Sequence, residues 1–324
     1  MSFTDRLWYQ GHKAHWLLLP LAWLYGAVTA VRRVLFRAGI KRQVKLPVPV
    51  IVVGNISIGG TGKTPFTLLL CQLLQQHGWQ PGIVSRGYGA NITAPILVTP
   101  DACATAVGDE PLLLAQRSGC PVVVCPDRVA AARYLLANTQ ANIIVSDDGL
   151  QHYALARDIE MVLIDGSRGL GNGQLLPAGP LREGAWRLAQ VDLVIANSLP
   201  FAGADGVMTL LPSAATQLNG NAKLTPCAVN LVAGIGNPAR FERTVLAAGF
   251  SVKQRYYFAD HHKFVAADFA TIDGPVLMTE KDAVKCRVFA SDDWFSLGVN
   301  AQLDQQLTTK IHTILTNLRS SYGT

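Results

Sequence analysis

A chain of 324 residues, 49% of them apolar and only 15% charged, is long enough for one large or two medium globular units and too apolar to be disordered. Its net charge of +6 favours anionic partners such as nucleotides or acidic lipid, whereas nucleic acid is disfavoured because the basic residues gather beside an apolar segment without interleaved aromatics elsewhere. The six cysteines stand singly, with no Cys-x-x-Cys pair, which excludes a zinc site or disulfide framework and fits a reducing compartment.

The first predicted element is an apolar helix. Residues 14–31, AHWLLLPLAWLYGAVTAV, contain no Asp, Glu, Lys or Arg, and as a helix they would reach roughly 27 Å, just short of a hydrocarbon core. Trp16, Trp23 and Tyr25 suit the membrane interface, and Arg32, Arg33, Arg37, Lys41, Arg42 and Lys45 follow with no acidic residue among them. Such a cluster is drawn to anionic headgroups and stays on the cytoplasmic side. No small-x-small cleavage site follows, so the segment is expected to be an anchor rather than a signal peptide. Spanning and lying in one leaflet both remain open, as does docking on the protein's own core.

Residues 54–64 read Gly-Asn-Ile-Ser-Ile-Gly-Gly-Thr-Gly-Lys-Thr, between a β-branched run at 48–53 and a helical pattern at 66–76. Strand, glycine-rich loop, Gly-Lys-Thr and helix is the context of a phosphate-binding P-loop. Gly59, Gly60, Thr61 and Gly62 would fold backbone N–H groups around phosphate oxygens. Lys63 would reach the β- and γ-phosphates and Thr64 would ligate Mg²⁺. The general pattern wants a glycine five residues before Gly62, where this chain has Ser57.

Short apolar runs at 83–85, 122–125, 143–146, 161–165 and 191–196 alternate with helical patterns at 110–117 and 128–138, the signature of a parallel α/β sheet. Ligands in such sheets bind beyond the carboxyl ends of the strands. Arg86, Arg128 and the pair Asp147-Asp148 fall there. The polar stretch 210–225 is expected to be a linker. A second αβ unit follows it: strands at 228–233, 252–258 and 276–279, a helix opened by Gly234-Ile235-Gly236-Asn237-Pro238, and a closing helix near 302–318. The expected organisation is an anchor and basic flank over 1–45, a P-loop NTPase-like parallel-sheet domain over 46–212, and a smaller α/β domain over 213–324.

Asp147 and Asp148 end a predicted strand where a carboxylate can hold Mg²⁺ opposite Thr64, or they cap a turn. Asp109 heads a helix, as an N-cap or as a catalytic acid–base group. Asp260-His261-His262 is either half a metal site or an exposed loop. Arg182 joins Arg86 and Arg128 in loops suited to phosphate contacts. A guanine-specific protein would carry Asn/Thr-Lys-x-Asp; Thr279-Glu280-Lys281-Asp282 has the residue types without the spacing, so ATP is the expected nucleotide.

Together these motifs resemble the tetraacyldisaccharide 4′-kinase family over nearly the whole chain. The resemblance rests on the apolar N-terminus, residues 54–64, Ser-Arg-Gly-Tyr-Gly at 85–89 and Gly-Asp-Glu-Pro at 108–111. It continues with Asp-Arg at 127–128, Asp-Asp-Gly-Leu-Gln-His at 147–152 and Leu-Leu-Pro-Ala-Gly-Pro-Leu-Arg-Glu at 175–183. Phe-Ala-Asp-His-His at 258–262 and Thr-Glu-Lys-Asp-Ala-Val-Lys at 279–285 complete it. The family is one of membrane-associated P-loop kinases, and Ser57 looks normal within it. The resemblance implies ATP- and Mg²⁺-dependent phosphorylation of the 4′-hydroxyl of a tetraacyldisaccharide 1-phosphate, giving lipid IVA. It further implies a place at the cytoplasmic face of the inner membrane, and a monomer is the expected state. By this resemblance Lys63 and Thr64 match the nucleotide- and metal-binding pair, and Asp147 and Asp148 the acidic pair near Mg²⁺. Asp109 matches the proton-accepting carboxylate, supported by His261, while Arg128, Arg182 and Glu183 match charged residues lining the site. The alternatives from other classes are a P-loop NTPase that switches a protein partner and a membrane-tethered nucleotide sensor.

Overall fold

The computed structural model describes residues 3–322. A single twelve-stranded sheet forms its spine. Its strands are β1 (Val50–Gly54), β2 (Pro81–Ser85), β3 (Ile96–Val98), β4 (Val122–Val124), β5 (Ile143–Asp147), β6 (Ile159–Asp165), β7 (Leu193–Asn197), β8 (Gly206–Gln217), β9 (Ala228–Ala233), β10 (Ser251–Tyr257), β11 (Val276–Thr279) and β12 (Trp294–Leu303). The helices are α1 (Phe3–Tyr9), α2 (His15–Arg37), α3 (Lys63–Gln76), α4 (Ala104–Val107), α5 (Asp109–Ser118), α6 (Arg128–Asn138), α7 (Pro238–Ala247), α8 (Glu280–Cys286) and α9 (Gln305–Tyr322).

Across the sheet the order is β10-β9-β11-β12-β8-β7-β6-β1-β5-β2-β4-β3. The central strands are parallel and wholly buried, which is why they read as largely apolar runs rather than alternating ones. Successive residues feed opposite layers. Ile51 and Val53 join α3 and α5 in one core, while Val50 and Val52 join α6 in the other. Val53 pairs with Asp147 in the β1–β5 register, so the P-loop and the acidic pair leave the sheet side by side.

The first half of the stretch expected to be a linker, residues 210–217, instead belongs to β8. This strand runs parallel to β7 on one edge and antiparallel to β12 on the other, so the two α/β halves share one sheet. A cut between residues 212 and 213 would pass through the middle of β8. Its residues are mostly half-buried, with only Met208 and Ala215 fully inside. Pro212 is accommodated where the β12 register shifts between Leu297 and Val299, since a bulge frees a position from its ladder bond. The closing helix α9 then returns to the P-loop half, placing Leu307, Ile311, Leu315 and Leu318 in the same core as Phe66 and Leu70 of α3.

Helix α2 extends six residues beyond its predicted end, so Arg32, Arg33 and Arg37 lie on its last turns rather than after it. One stripe docks on the protein: Ala22 is buried, Tyr25 donates to the Arg182 carbonyl at 3.2 Å, and the Arg33 guanidinium lies 4.3 Å from the Trp186 ring. The opposite stripe, with Trp16, Leu17, Leu21, Trp23, Leu24, Val28 and Val31, is exposed.

Asp304 locks α9 to β8. Its Oδ1 accepts the Leu307 N–H at 2.8 Å and its Oδ2 accepts the Val207 N–H. Asp304→Ala should therefore cost about 1–2 kcal/mol of stability, the usual loss for a helix cap, read as a lower urea midpoint with an unchanged m-value.

Candidate active site

The loop after β1 is shaped by its neighbours. Ile58 N–H donates to the Pro180 carbonyl at 2.8 Å, Arg182 N–H donates to the Ile56 carbonyl at 2.7 Å, and Ser57 bridges Leu181. Ser57 is therefore a buried, extended residue that needs no glycine freedom. The turn is made downstream, where Gly59 has φ +121° and Gly62 has φ +91°. A side chain at Gly62 would also strike the Asn197 amide, whose Nδ2 donates to the Thr61 carbonyl at 2.8 Å. Lys63 opens α3 immediately afterwards.

The loop borders a cavity of about 1000 Å³, at the upper end of small-ligand sites. Gly59, Gly60, Thr61, Gly62, Lys63, Thr64, Arg86, Asp109, Arg128, Asp147, Asp148, Arg182 and His261 all line it. Glu183 does not. Glu183 turns into the protein, bonded to Tyr153 and to Gln151 at 3.1 Å, with Arg187 at 3.7 Å.

The two acidic residues after Ser146 have different surroundings. Asp147, 1% exposed, has only long contacts with two hydroxyls, Thr67 at 3.4 Å and Ser85 at 3.5 Å. Burial, reinforced by Glu110, pushes its pKa up to about 7 against the opposing pull of Lys63. Asp148 sits at φ +49°, a left-handed conformation that Asp tolerates better than most residues. Its carboxylate meets Arg182 at 3.0 and 3.1 Å and Lys63 at 3.6 Å. Burial opposes its ionisation, but these cations outweigh it and hold its pKa below the usual range.

Arg128, 4% exposed, begins α6, capped by Asp127, which accepts from Val129 N–H at 2.9 Å and Ala130 N–H at 3.2 Å. Burial lowers the Arg128 pKa, with Asp148 and Asp147 opposing. Asp109 is the first residue of α5, after Gly108, and its Oδ1 accepts the Glu110 N–H at 2.9 Å. Its Oδ2 lies 3.0 Å from His261 Nδ1, joining the two halves of the sheet. Burial raises the Asp109 pKa, but the His261 hydrogen bond and Lys281 outweigh it, leaving a net lowering. His261 adopts φ +59°. Its neighbour His262 is structural: Nε2 meets Asp268 at 2.9 Å and the ring stacks on Phe258.

Several cavity residues are given no role by the sequence. Arg240 on α7 donates to the Gly60 carbonyl at 3.1 Å and pairs with Asp165 at 3.5 Å, so the Gly234-x-Gly236 turn belongs to the cleft wall. Lys281 pairs with Glu110 at 3.0 Å, and Glu280 pairs with Arg117 at 2.7 Å. These two ion pairs fasten α8 to α5. The Thr279-Glu280-Lys281-Asp282 stretch thus supplies a clasp and a capped helix start, with Thr279 Oγ1 accepting from Asp282 N–H at 3.1 Å.

Comparison with known proteins gives one consistent result. A family profile for tetraacyldisaccharide-1-P 4′-kinases (LpxK) matches residues 14–316. The tetraacyldisaccharide 4′-kinase of Shewanella sp. (strain ANA-3) is 50% identical over 323 residues, covering 97% of this chain and 96% of that one. The protein of the same name from Shewanella amazonensis (strain ATCC BAA-1098 / SB2B) is 48% identical over 329 residues, covering 96% and 94%. Among solved structures, LpxK from Aquifex aeolicus in complex with ATP aligns with a TM-score of 0.77 at 27% identity, over 93% of this chain and 99% of that one. The chain belongs to the tetraacyldisaccharide 4′-kinase family.

Proposed function

We infer that the protein is an ATP-dependent kinase that phosphorylates the 4′-hydroxyl of tetraacyldisaccharide 1-phosphate, giving lipid IVA in lipid A biosynthesis. The observation that carries this reading is a single cavity in which a P-loop lysine and acidic pair face a carboxylate–imidazole pair drawn from both ends of the sheet. Phosphoryl transfer needs little covalent help, so positioning and charge neutralisation dominate. Gly59 to Thr64 hold the ATP phosphates. Asp109 accepts the proton of the attacking 4′-hydroxyl as its oxygen bonds to the γ-phosphorus and the bond to ADP breaks. His261 orients that carboxylate. Arg86, Arg128 and Arg182 balance the charge spreading over the phosphoryl oxygens.

The donor set suits Mg²⁺. Asp147 has lone pairs engaged only by two long hydroxyl contacts, and no group of three or more His, Cys, Asp or Glu forms a metal cage among the described residues. Mg²⁺ typically takes one or two carboxylates plus phosphates and water. Thr64, Asp147 and Asp148 would hold it, with Asp147 the better ligand because Asp148 is already paired to two cations. Bound there, the ion neutralises phosphate charge.

The membrane reading follows from α2. Its docked stripe keeps the protein body alongside the helix, so the exposed stripe enters one leaflet from the cytoplasmic side rather than the helix spanning the bilayer. Tyr25 and Arg32 of α2 also line the cavity, so a sugar headgroup can enter the cleft while its acyl chains stay in the leaflet.

In mixed micelles with Mg-ATP, the tetraacyl disaccharide 1-phosphate should gain one phosphate by mass spectrometry, and the gain should vanish in Lys63→Ala. Asp109→Ala and His261→Ala should lower kcat by about 10²–10⁴-fold, the range for a lost general base, with the KM for ATP nearly unchanged; raised KM at full turnover would refute those roles. Asp147→Asn should lose activity yet melt higher. An acid whose pKa rises on folding destabilises the fold as pH climbs from 3.8 towards about 7, so relief at pH 8 is on the order of 2–4 kcal/mol. Replacing Leu17, Leu21 and Leu24 by Ser should cut sedimentation with vesicles at least tenfold, since each exposed leucine contributes about 1.5 kcal/mol or more when buried in lipid.

A further inference from the structure

Beyond its ion pair with Glu110, Lys281 has no part in the catalytic roles assigned so far, yet its ammonium sits at the centre of the contact between the halves. Nζ lies 3.0 Å from Glu110 Oε1, 3.7 Å from Asp260 Oδ1 and 3.4 Å from His261 Nε2. An ammonium has three donors and no lone pair. The ring nitrogen facing it must therefore present its own lone pair. The alternative acceptor for an Nε2–H, Asp260 Oδ1, stands 4.0 Å away, beyond hydrogen-bond range. That leaves the single proton of the neutral imidazole on Nδ1, where it donates to Asp109 Oδ2 at 3.0 Å.

We propose that Lys281 is a positioning residue that fixes His261 as the Nδ1–H tautomer and resists its second protonation, so that the imidazole orients Asp109 while leaving it free to take the substrate proton. This rests on the reading of Asp109 as the proton acceptor. The groups facing the His261 ring are Asp109 on α5, Lys281 on α8, Asp260 on its own loop and Tyr88, whose ring lies 4.9 Å away. Behind them stand Glu110 against Lys281 and Lys285, 4.0 Å from Asp109. The bond to Asp109 raises the His261 pKa, burial and Lys281 lower it, and the balance is a net rise. Burial would lower the Lys281 pKa, but Glu110, Asp109 and Asp260 more than offset this and hold the ammonium charged. A cation on His261 would depress the proton affinity of Asp109 and bring two positive groups within 3.4 Å. Turnover should therefore fall on the acid side as His261 gains its second proton.

The test labels the seven histidines of the full-length protein with ¹⁵N and assigns His261 by the signal missing in His261→Gln. The parent should show a protonated Nδ1 and a bare Nε2 above the His261 pKa. Lys281→Met should give mixed tautomers, a higher titration midpoint, and an acid limb of kcat moved up by about one pH unit, the lower end for a neighbouring charge. Lys281→Arg keeps the charge and should restore both. Glu280→Gln weakens the same α5–α8 contact without touching the ring and should leave tautomer and limb where they are. An Nε2–H in the parent, or a Lys281→Met protein with unmoved tautomer and midpoint, would overturn the proposal and make Lys281 a strut; the parent spectrum decides even if that variant fails to fold. A shifted tautomer together with full turnover in Asp109→Ala would support the assignment to Lys281 while removing Asp109 as the base.

Discussion

Backbone pairing along both edges of β8 is what turns two α/β halves into one body. Parallel pairing to β7 fixes it to the P-loop half, and antiparallel pairing to β12 fixes it to the other. The separation between Lys63 and His261 depends on that continuous ladder, because α5 and α8 meet only where the sheet brings them. Side-chain ion pairs then refine a position that main-chain hydrogen bonds have already set. Partly exposed ion pairs such as Arg117–Glu280 are individually weak, and their value here lies in registering one helix against another.

The cleft concentrates unfavourable electrostatics that a stability-optimised protein would avoid. Asp147 is buried with little compensation, Arg128 is buried with its Nε unbonded, and Asp148 and His261 occupy left-handed backbone. Each is a modest cost of the kind that collects at functional sites. The surrounding cores are correspondingly conventional, with Val, Ile and Leu packed in two continuous layers. One acid is neutralised internally by Lys63 and Arg182 while its neighbour is not, so adjacent residues acquire different chemistry from different surroundings.

Much of this was legible in the sequence because the signals were local. The glycine-rich loop, its flanking strand and helix, and the acidic pair at a strand end follow from short-range pattern, and several elements, such as α6, β9 and β11, lie at their predicted bounds. What escaped was set by partners distant in the chain. β8 and β12 are half-buried, mixed in composition and defined by pairing with each other, so neither shows an apolar run. Glu183, matched to the site only by resemblance, differs from Arg182 in facing the protein interior. His261 and His262 are indistinguishable locally; Asp109, 152 residues upstream of His261, separates their fates. Lys281 read as part of an imperfect guanine motif and of the 279–285 match, with no role of its own, because nothing near it in sequence announces Glu110.

The return of α9 bears on how the protein is made. Leu307, Ile311, Leu315 and Leu318 complete the apolar layer over α3, so the nucleotide-binding half stays open on one face until the last helix leaves the ribosome. Helix α2, by contrast, follows only α1 in synthesis and carries its exposed apolar stripe from the start. The growing chain therefore carries two open apolar surfaces at once, the stripe of α2 and the unfinished layer over α3, and only the second is covered by later sequence. Synthesis order thus makes closure of the nucleotide-binding half the last step of folding, whereas the α2 stripe stays open in the finished chain.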